Sequence, residues 1–487
     1  MEKRSQRWQD TRKTEAGDRI QAQQSVIFEY AATVYILAAS VNLSVRKTAY
    51  PILLLTIASG LGYFAYFRPW YVANETYLGA LILLEALIGA IWMYKRAFFP
   101  VVLLAFLLAG VDLPLASVWT VARWAFLGIG AFVGCLMLFV TQRLRFVPFH
   151  FIAFFAAATA ALSAFSSSYP WVVLAKALSL LLLFVYAGTG VRMAVIGREQ
   201  RFFSGLLLGC EIFVSLLAVI YATGLEIMGN PNSLGAVTGV IGAPILLWGA
   251  FLEGKNLTKY RRWLLYGICM YLLFHSQARA GLAAALISCG LLCISLRKYK
   301  VVVLGLIFLL IMVAIAGIFA PDALTSVTKS TLYKSGEQSQ GLLASRREPW
   351  QTAIDNIRLH LWLGMGIGTT MSENQAGGEE QRLFASYSKV TAEHGSSYLA
   401  ILSGVGVFGA IPISLLLVLL LSKVQHTVRW MRTFQTPWHP AVPIAMLVVA
   451  GLVHAGFEDW MLAPGNYLCV FFWSLAFLLI DFAPTTV

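Results

Sequence analysis

The sequence predicts an all-α fold, a polytopic bundle of transmembrane helices, and three observations carry that reading. Of the 487 residues, 59% are hydrophobic and only 12% are charged, more apolar surface than one soluble core can hide. The apolar residues fall in repeated stretches of about 17 to 25, the length that spans a bilayer. The period-2 alternation of a membrane β-barrel is absent from those stretches. A spanning segment must satisfy its own backbone hydrogen bonds, so each run is read as a helix. The number of crossings expected is about 12 to 15, with one large extracytoplasmic loop that contains an amphipathic helix.

Residues 1–24 form a polar, basic N-terminal tail, too long for the start of a signal peptide. Residues 25–320 form an N-terminal transmembrane bundle, with apolar runs at 27–44, 49–66, 78–94, 97–112, 118–140, 149–168, 171–193, 202–224, 233–252, 263–275, 280–296 and 301–319. Residues 321–395 form the large loop, and residues 396–487 form the C-terminal helices, with runs at 397–421, 441–457 and 463–481.

The net charge of +13 is carried by short connections between runs. Basic connections lie at 46–47, 95–96, 143–145, 198–201, 255–262, 298–300 and 423–432. They alternate with connections poor in Lys and Arg, so the basic set is assigned to the cytoplasm. This puts 166–169, 229–232, 275–279, the large loop and Glu458-Asp459 outside. Fifteen full crossings would leave the basic N-terminal tail outside, so one early run, 97–112, is expected not to cross. The charge belongs to topology and not to nucleic acid, for which no module is present. The six cysteines, Cys135, Cys210, Cys269, Cys289, Cys293 and Cys469, all lie in apolar segments. They read as small core residues and not as a disulfide framework or metal site. Glu85, Arg123, Lys176 and Glu211 lie inside apolar runs. Pairing between helices is the favoured account of each, with a place along a transport pathway as the alternative.

Chemistry is expected on the outer side. Arg279 begins an Ala/Gly-rich helix whose small residues permit close packing. Its guanidinium and the helix N-terminus together suit an anion such as a phosphate, or a lipid headgroup. In the large loop, Pro349 suits the first turn of a helix, and Trp350, Ile354, Ile357 and Leu361 recur on one face. Arg346 and Arg347 stand at its entrance. The glycines at 364, 366 and 368 follow. No strand-turn-helix context makes them a nucleotide loop, and they are assigned to flexible backbone in a lid. His394 closes the loop where the chain re-enters the membrane. A neutral imidazole, with an ordinary pKa of about 6.5, is a competent base there. Zinc, nucleophile-elbow and phosphate-loop motifs are all missing.

These features in this order resemble the bacterial O-antigen ligase and O-antigen polymerase superfamily, which includes teichuronic acid-type enzymes. The resemblance runs from G-N-P-N-S-L-G at 229–235 onward. It rests on 276–279 before the alanine-rich helix, S-R-R-E-P-W at 345–350, G-M-G-I-G at 364–368, and H-G-S-S-Y-L followed by G-V-F-G within 394–409. The chain departs from the family pattern at Gly395, where Asn, Ser or Gln commonly follows the histidine, and by one extra residue before the final glycine pair.

The resemblance implies an enzyme of the bacterial cytoplasmic (inner) membrane, working on the extracytoplasmic side. It implies transfer of a glycan from a polyprenyl-diphosphate carrier to the hydroxyl of a lipid or glycan acceptor, with inversion and without a metal or other cofactor. Under it, His394 is the base, and Arg279, Arg346 and Arg347 take the diphosphate. The competing class is a membrane transporter that uses the intramembrane charges. No internal two-fold repeat supports it, and one large outer loop is atypical of alternating access.

Overall fold

The computed structural model describes residues 116–140, 146–224, 231–252, 256–319, 344–368 and 395–485, together with Val102, Leu103 and Phe106. All of them belong to the unit Leu87–Val487. The tail, the runs between 27 and 112 other than those three residues, Glu85, most of the large loop, and His394 itself lie outside the described residues.

Every element among the described residues is helical, as expected of a polytopic helical membrane protein. In chain order they are α1 (Ala116–Val140), α2 (Pro148–Leu162), α3 (Pro170–Val195), α4 (Glu199–Ala222), α5 (Asn232–Phe251), α6 (Asn256–His275), α7 (Arg279–Ser295), α8 (Tyr299–Phe319), α9 (Ala344–Leu359), α10 (Ser397–Phe434), α11 (Ala441–Ala455) and α12 (Tyr467–Phe482). Five of them, α2 with its trailing 3-10 turn, α3, α4, α5 and α10, are long and apolar enough to cross a membrane. Starts follow local chemistry. Pro148 and Pro170 open α2 and α3, where a missing N–H is harmless. Asn466 caps α12 by accepting from Leu468 N at 2.9 Å.

Helices α11 and α12 are buried nearly all round, from Val442 to Met446 and from Leu468 to Leu479, and so form the centre. On α4, by contrast, Leu208, Ile212, Leu216 and Val219 share one exposed apolar face, which is what a helix turned toward lipid presents. Helix α7 meets α5 backbone to backbone. A Cβ on Gly281 would come to 2.2 Å from the Gly235 carbonyl oxygen, and one on Gly239 to 2.3 Å from the Gly281 carbonyl oxygen. The small residues after Arg279 therefore perform the close packing expected of them.

Connections sort into two ends. At one end lie the described basic stretches, 198–201, 256–262, 298–300 and 423–432, and their neighbours. There Gln435 donates to the Ser295 carbonyl at 3.4 Å, Trp248 to the Pro437 carbonyl at 2.8 Å, and Arg192 pairs with Asp481 at 2.5 Å. At the other end lie 163–169, 231–235, 275–279, 344–346, 395–397 and 456–466. These are joined by Ser166 to the Gly364 carbonyl at 2.5 Å, Tyr467 to the Ser233 carbonyl at 3.3 Å, and Arg123 to the Gly465 carbonyl at 2.8 Å.

Some features differ from the sequence reading. The basic stretch 423–432 is no loop, because α10 continues through it as helix to Phe434. At 1.5 Å per residue the part beyond Gly406 is about 42 Å long, well beyond the hydrocarbon core. Helix α9 starts at Ala344, which leaves Pro349 inside it. The missing N–H then forfeits only one bond, to a carbonyl of the first turn. Of the intramembrane charges, Glu211 pairs with Arg261 at 2.5 Å and Arg262 at 3.1 Å, the structural account favoured for it.

The glycines at 364, 366 and 368 are no flexible lid. Met365 N and Gly366 N donate to the carbonyls of Ser403 and Gly404 at 2.9 and 3.0 Å, and Val407 N donates to the Leu361 carbonyl at 2.9 Å. The segment is docked into a break in α10. That break is Gly406, at φ +61° and ψ −171°, where a Cβ would meet the Trp362 carbonyl oxygen at 2.4 Å. Gly406→Ala should therefore destabilise the folded protein by about 1 to 3 kcal/mol, from left-handed strain and collision together. Gly267→Ala, with nothing within 4 Å of the added Cβ, should be neutral. Thermal loss of the monodisperse detergent-solubilised protein checks the pair, and equal behaviour of the two variants would contradict the docked glycine.

Candidate active site

Arg279 is the first residue of α7. The preceding turn is shaped by Ser276, whose Oγ donates to the Leu273 carbonyl at 2.7 Å and accepts from Ala278 N at 3.3 Å. Gln277 adopts φ +53° to complete the reversal. Ala278, Ala280 and Gly281 are buried toward α5, and the half-buried Arg279 is the cation at that helix start. The N–H groups of the first turn and the helix dipole add positive potential there.

Arg346 comes from a different element, the first turn of α9. It forms an ion pair with Glu458, which lies in the connector between α11 and α12. Both side chains are about one-quarter exposed, at 23% and 25%, so the pair borders the surface. Arg279 lies within electrostatic reach of Arg346, close enough for each cation to oppose the other. Two positive groups drawn from separate helices thus converge at one end of the bundle.

The chain re-enters the bundle against this pair. Gly395, at φ +62°, is buried. A Cβ there would lie 3.3 Å from both Cδ and Nη1 of Arg346. The Gly395 carbonyl accepts from Trp350 Nε1 at 3.1 Å, and Trp350 stands one helical turn beyond Arg346. Ser397, at the start of α10, donates from its backbone N and its Oγ to the Glu458 carbonyl at 3.1 and 2.7 Å. Its Oγ also accepts from Trp460 N and Met461 N at 3.0 and 3.1 Å. Beneath them, Trp460 Nε1 donates to His454 Nδ1 at 2.9 Å.

A second polar contact lies on the same end. Lys176 of α3 donates to the Gly368 carbonyl at 2.5 Å and interacts electrostatically with Asp459. It ties the docked glycine segment to α3 and to the connector that carries Glu458.

Among the residues singled out from sequence, Arg279 and Arg346 are brought together. Arg347 is exposed on α9, and no described contact joins it to them. His394 lies outside the described residues, and its neighbour Gly395 is the residue packed on Arg346. Glu458 was read from sequence only as part of an acidic connection. The signal that could have raised its rank was charge complementarity, since an outer acidic pair faces an arginine-rich loop in a chain with only 23 acidic residues. The role of Ser397 as a three-way hydrogen-bonding hub carried no sequence signal.

A family model described as O-antigen ligase matches residues 264–414. The matched stretch starts within α6 and ends within α10, just past the break at Gly406, and takes in Arg279, Arg346, Arg347 and His394. No curated protein matches the chain significantly.

Proposed function

We propose, from the match of residues 264–414 to the O-antigen ligase family model, that this multi-pass membrane protein transfers a glycan from a polyprenyl-diphosphate carrier to an acceptor hydroxyl on a lipid or another glycan. The observation that carries the reading is the convergence of Arg279 and Arg346, from α7 and α9, beside the turn that leads out of His394.

In this reading the acceptor hydroxyl gives its proton to the neutral imidazole of His394 as its oxygen attacks the anomeric carbon. A bond forms between that oxygen and the carbon. The bond from the anomeric carbon to the diphosphate oxygen breaks, and its electron pair leaves with the carrier. Charge grows on the leaving oxygen, where planar guanidinium groups offer paired, charge-assisted hydrogen bonds. Arg279 and Arg346 hold the diphosphate, and the exposed Arg347 assists at the rim. In this reading the guanidinium groups, and not a metal ion, meet the charge of the diphosphate. A single displacement inverts the anomeric centre. The described basic stretches, 198–201, 256–262, 298–300 and 423–432, occupy the opposite end of the bundle, which supports an active site on the extracytoplasmic side of the bacterial cytoplasmic membrane.

The test is carrier release by the purified full chain in detergent, with a synthetic undecaprenyl-diphosphate glycan and a panel of lipid and glycan acceptors. Release that persists in chelator, with an inverted product linkage by NMR, is the expected result. Movement of intact carrier-linked glycan across a vesicle membrane, with no bond broken, would favour a transporter and sink the proposal.

A further inference from the structure

Resting on that reading, we infer that Glu458 is a positioning residue for the transfer, setting the spacing between the diphosphate-binding Arg346 and the turn that follows His394. Its side chain and its main chain hold different elements. The carboxylate pairs with Arg346 on α9. The carbonyl of the same residue accepts both the backbone N and the Oγ of Ser397 at the start of α10, at 3.1 and 2.7 Å. Ser397 follows His394 in sequence by three residues, so one residue spans the gap between the arginine and the start of α10.

The clamp is closed from the other side as well. Trp350 donates to the Gly395 carbonyl at 3.1 Å, and it sits on the same helix as Arg346, four residues on. Ser397 Oγ accepts from Trp460 N and Met461 N, which fixes the connector that presents Glu458. Helices α9 and α10 and the connector between α11 and α12 are therefore registered against one another through Glu458.

Charge makes the assignment discriminating. A carboxylate paired with Arg346 opposes an incoming diphosphate, so binding alone gives no reason for an acid at this position. Its charge does counter that of Arg346, the cation that acts on Arg279. A guanidinium has five N–H donors, so engagement by Glu458 still leaves donors for a ligand. A residue that costs ground-state affinity while ordering the reacting groups should reveal itself as a split between KM and kcat.

The experiment uses the carrier-release assay on the full chain. For Glu458→Gln, which keeps shape and removes charge, kcat should fall roughly 10- to 100-fold, as misplacement of reacting groups predicts. KM for the undecaprenyl-diphosphate glycan should be unchanged or lower, and inhibition by free undecaprenyl diphosphate unchanged or stronger. Glu458→Asp keeps the charge on a shorter arm and should recover part of kcat. It also serves as the test variant if Glu458→Gln does not accumulate in membranes, with a fall in kcat at unchanged KM expected for it too. Wild-type kcat in the variant overturns the inference, as does a loss that lies wholly in a raised KM. A wild-type chain that releases no carrier overturns the transfer reading itself, whereas normal release by wild type and variant alike removes only the role of Glu458.

Discussion

Arg279→Lys is expected to lower transfer roughly 10²- to 10³-fold, the scale seen when one preorganised donor to a developing anion is lost. The substitution keeps the charge, so simple electrostatic attraction of the donor survives. What goes is the planar fork that meets two phosphate oxygens at once. The site cannot compensate easily. Arg279 is the first residue of α7, and the residues on either side of it, Ala278 and Ala280, are buried against a helix in backbone contact. A lysine ammonium on a flexible stem inherits the position without the geometry. Arg346→Lys should behave similarly and also lose its register with Glu458. The measurement is kcat/KM for carrier release at matched membrane abundance. Near-normal transfer by the Arg279 variant would mean that this arginine contacts lipid headgroups and that the diphosphate is held elsewhere.

Apolar periodicity and length made the helices legible from α1 onward, because a chain in lipid has few ways to satisfy its backbone. The run at 118–140 became Ala116–Val140, and 280–296 became Arg279–Ser295. Ends were less legible where chemistry rather than hydropathy sets them. Helix α10 continues past its apolar stretch through Lys423, His426, Arg429 and Arg432, since nothing after Gly406 breaks the helix until Gln435 adopts φ +53°. Long-range pairing was invisible to pattern reading. Arg192 and Asp481 are 289 residues apart yet join two helices, and neither residue alone signals the other. The same holds for the site. Arg279 and Arg346 were each legible as an arginine near the start of a helix. Glu458 was not, because its importance comes from what the fold brings against it. The glycine segment was misread for a related reason: three glycines permit flexibility, but here they permit contact with the break in α10.

His394→Ala is expected to reduce transfer by roughly 10²- to 10⁴-fold, the range for loss of a positioned acid or base, while donor binding and membrane abundance stay close to wild type. The surrounding turn has its own supports, which is why folding should survive. Gly395 is held by Trp350, and Ser397 by Glu458, Trp460 and Met461, none of which uses the histidine side chain. The pH dependence follows from the role. A base must be neutral to accept the acceptor proton, so wild-type transfer should be full above the imidazole range and decline as pH falls through about 6.5. That descending acid limb should vanish from the residual activity of the alanine variant. His360 provides an internal comparison. It lies just beyond the end of α9, its backbone N bonded to the Asn356 carbonyl at 3.0 Å, and His360→Ala should leave transfer near wild type. The decisive pair of measurements is undecaprenyl-diphosphate binding and turnover in His394→Ala. If affinity and abundance fall as far as turnover does, His394 anchors the loop, and Glu393 beside it becomes the next residue to test as base.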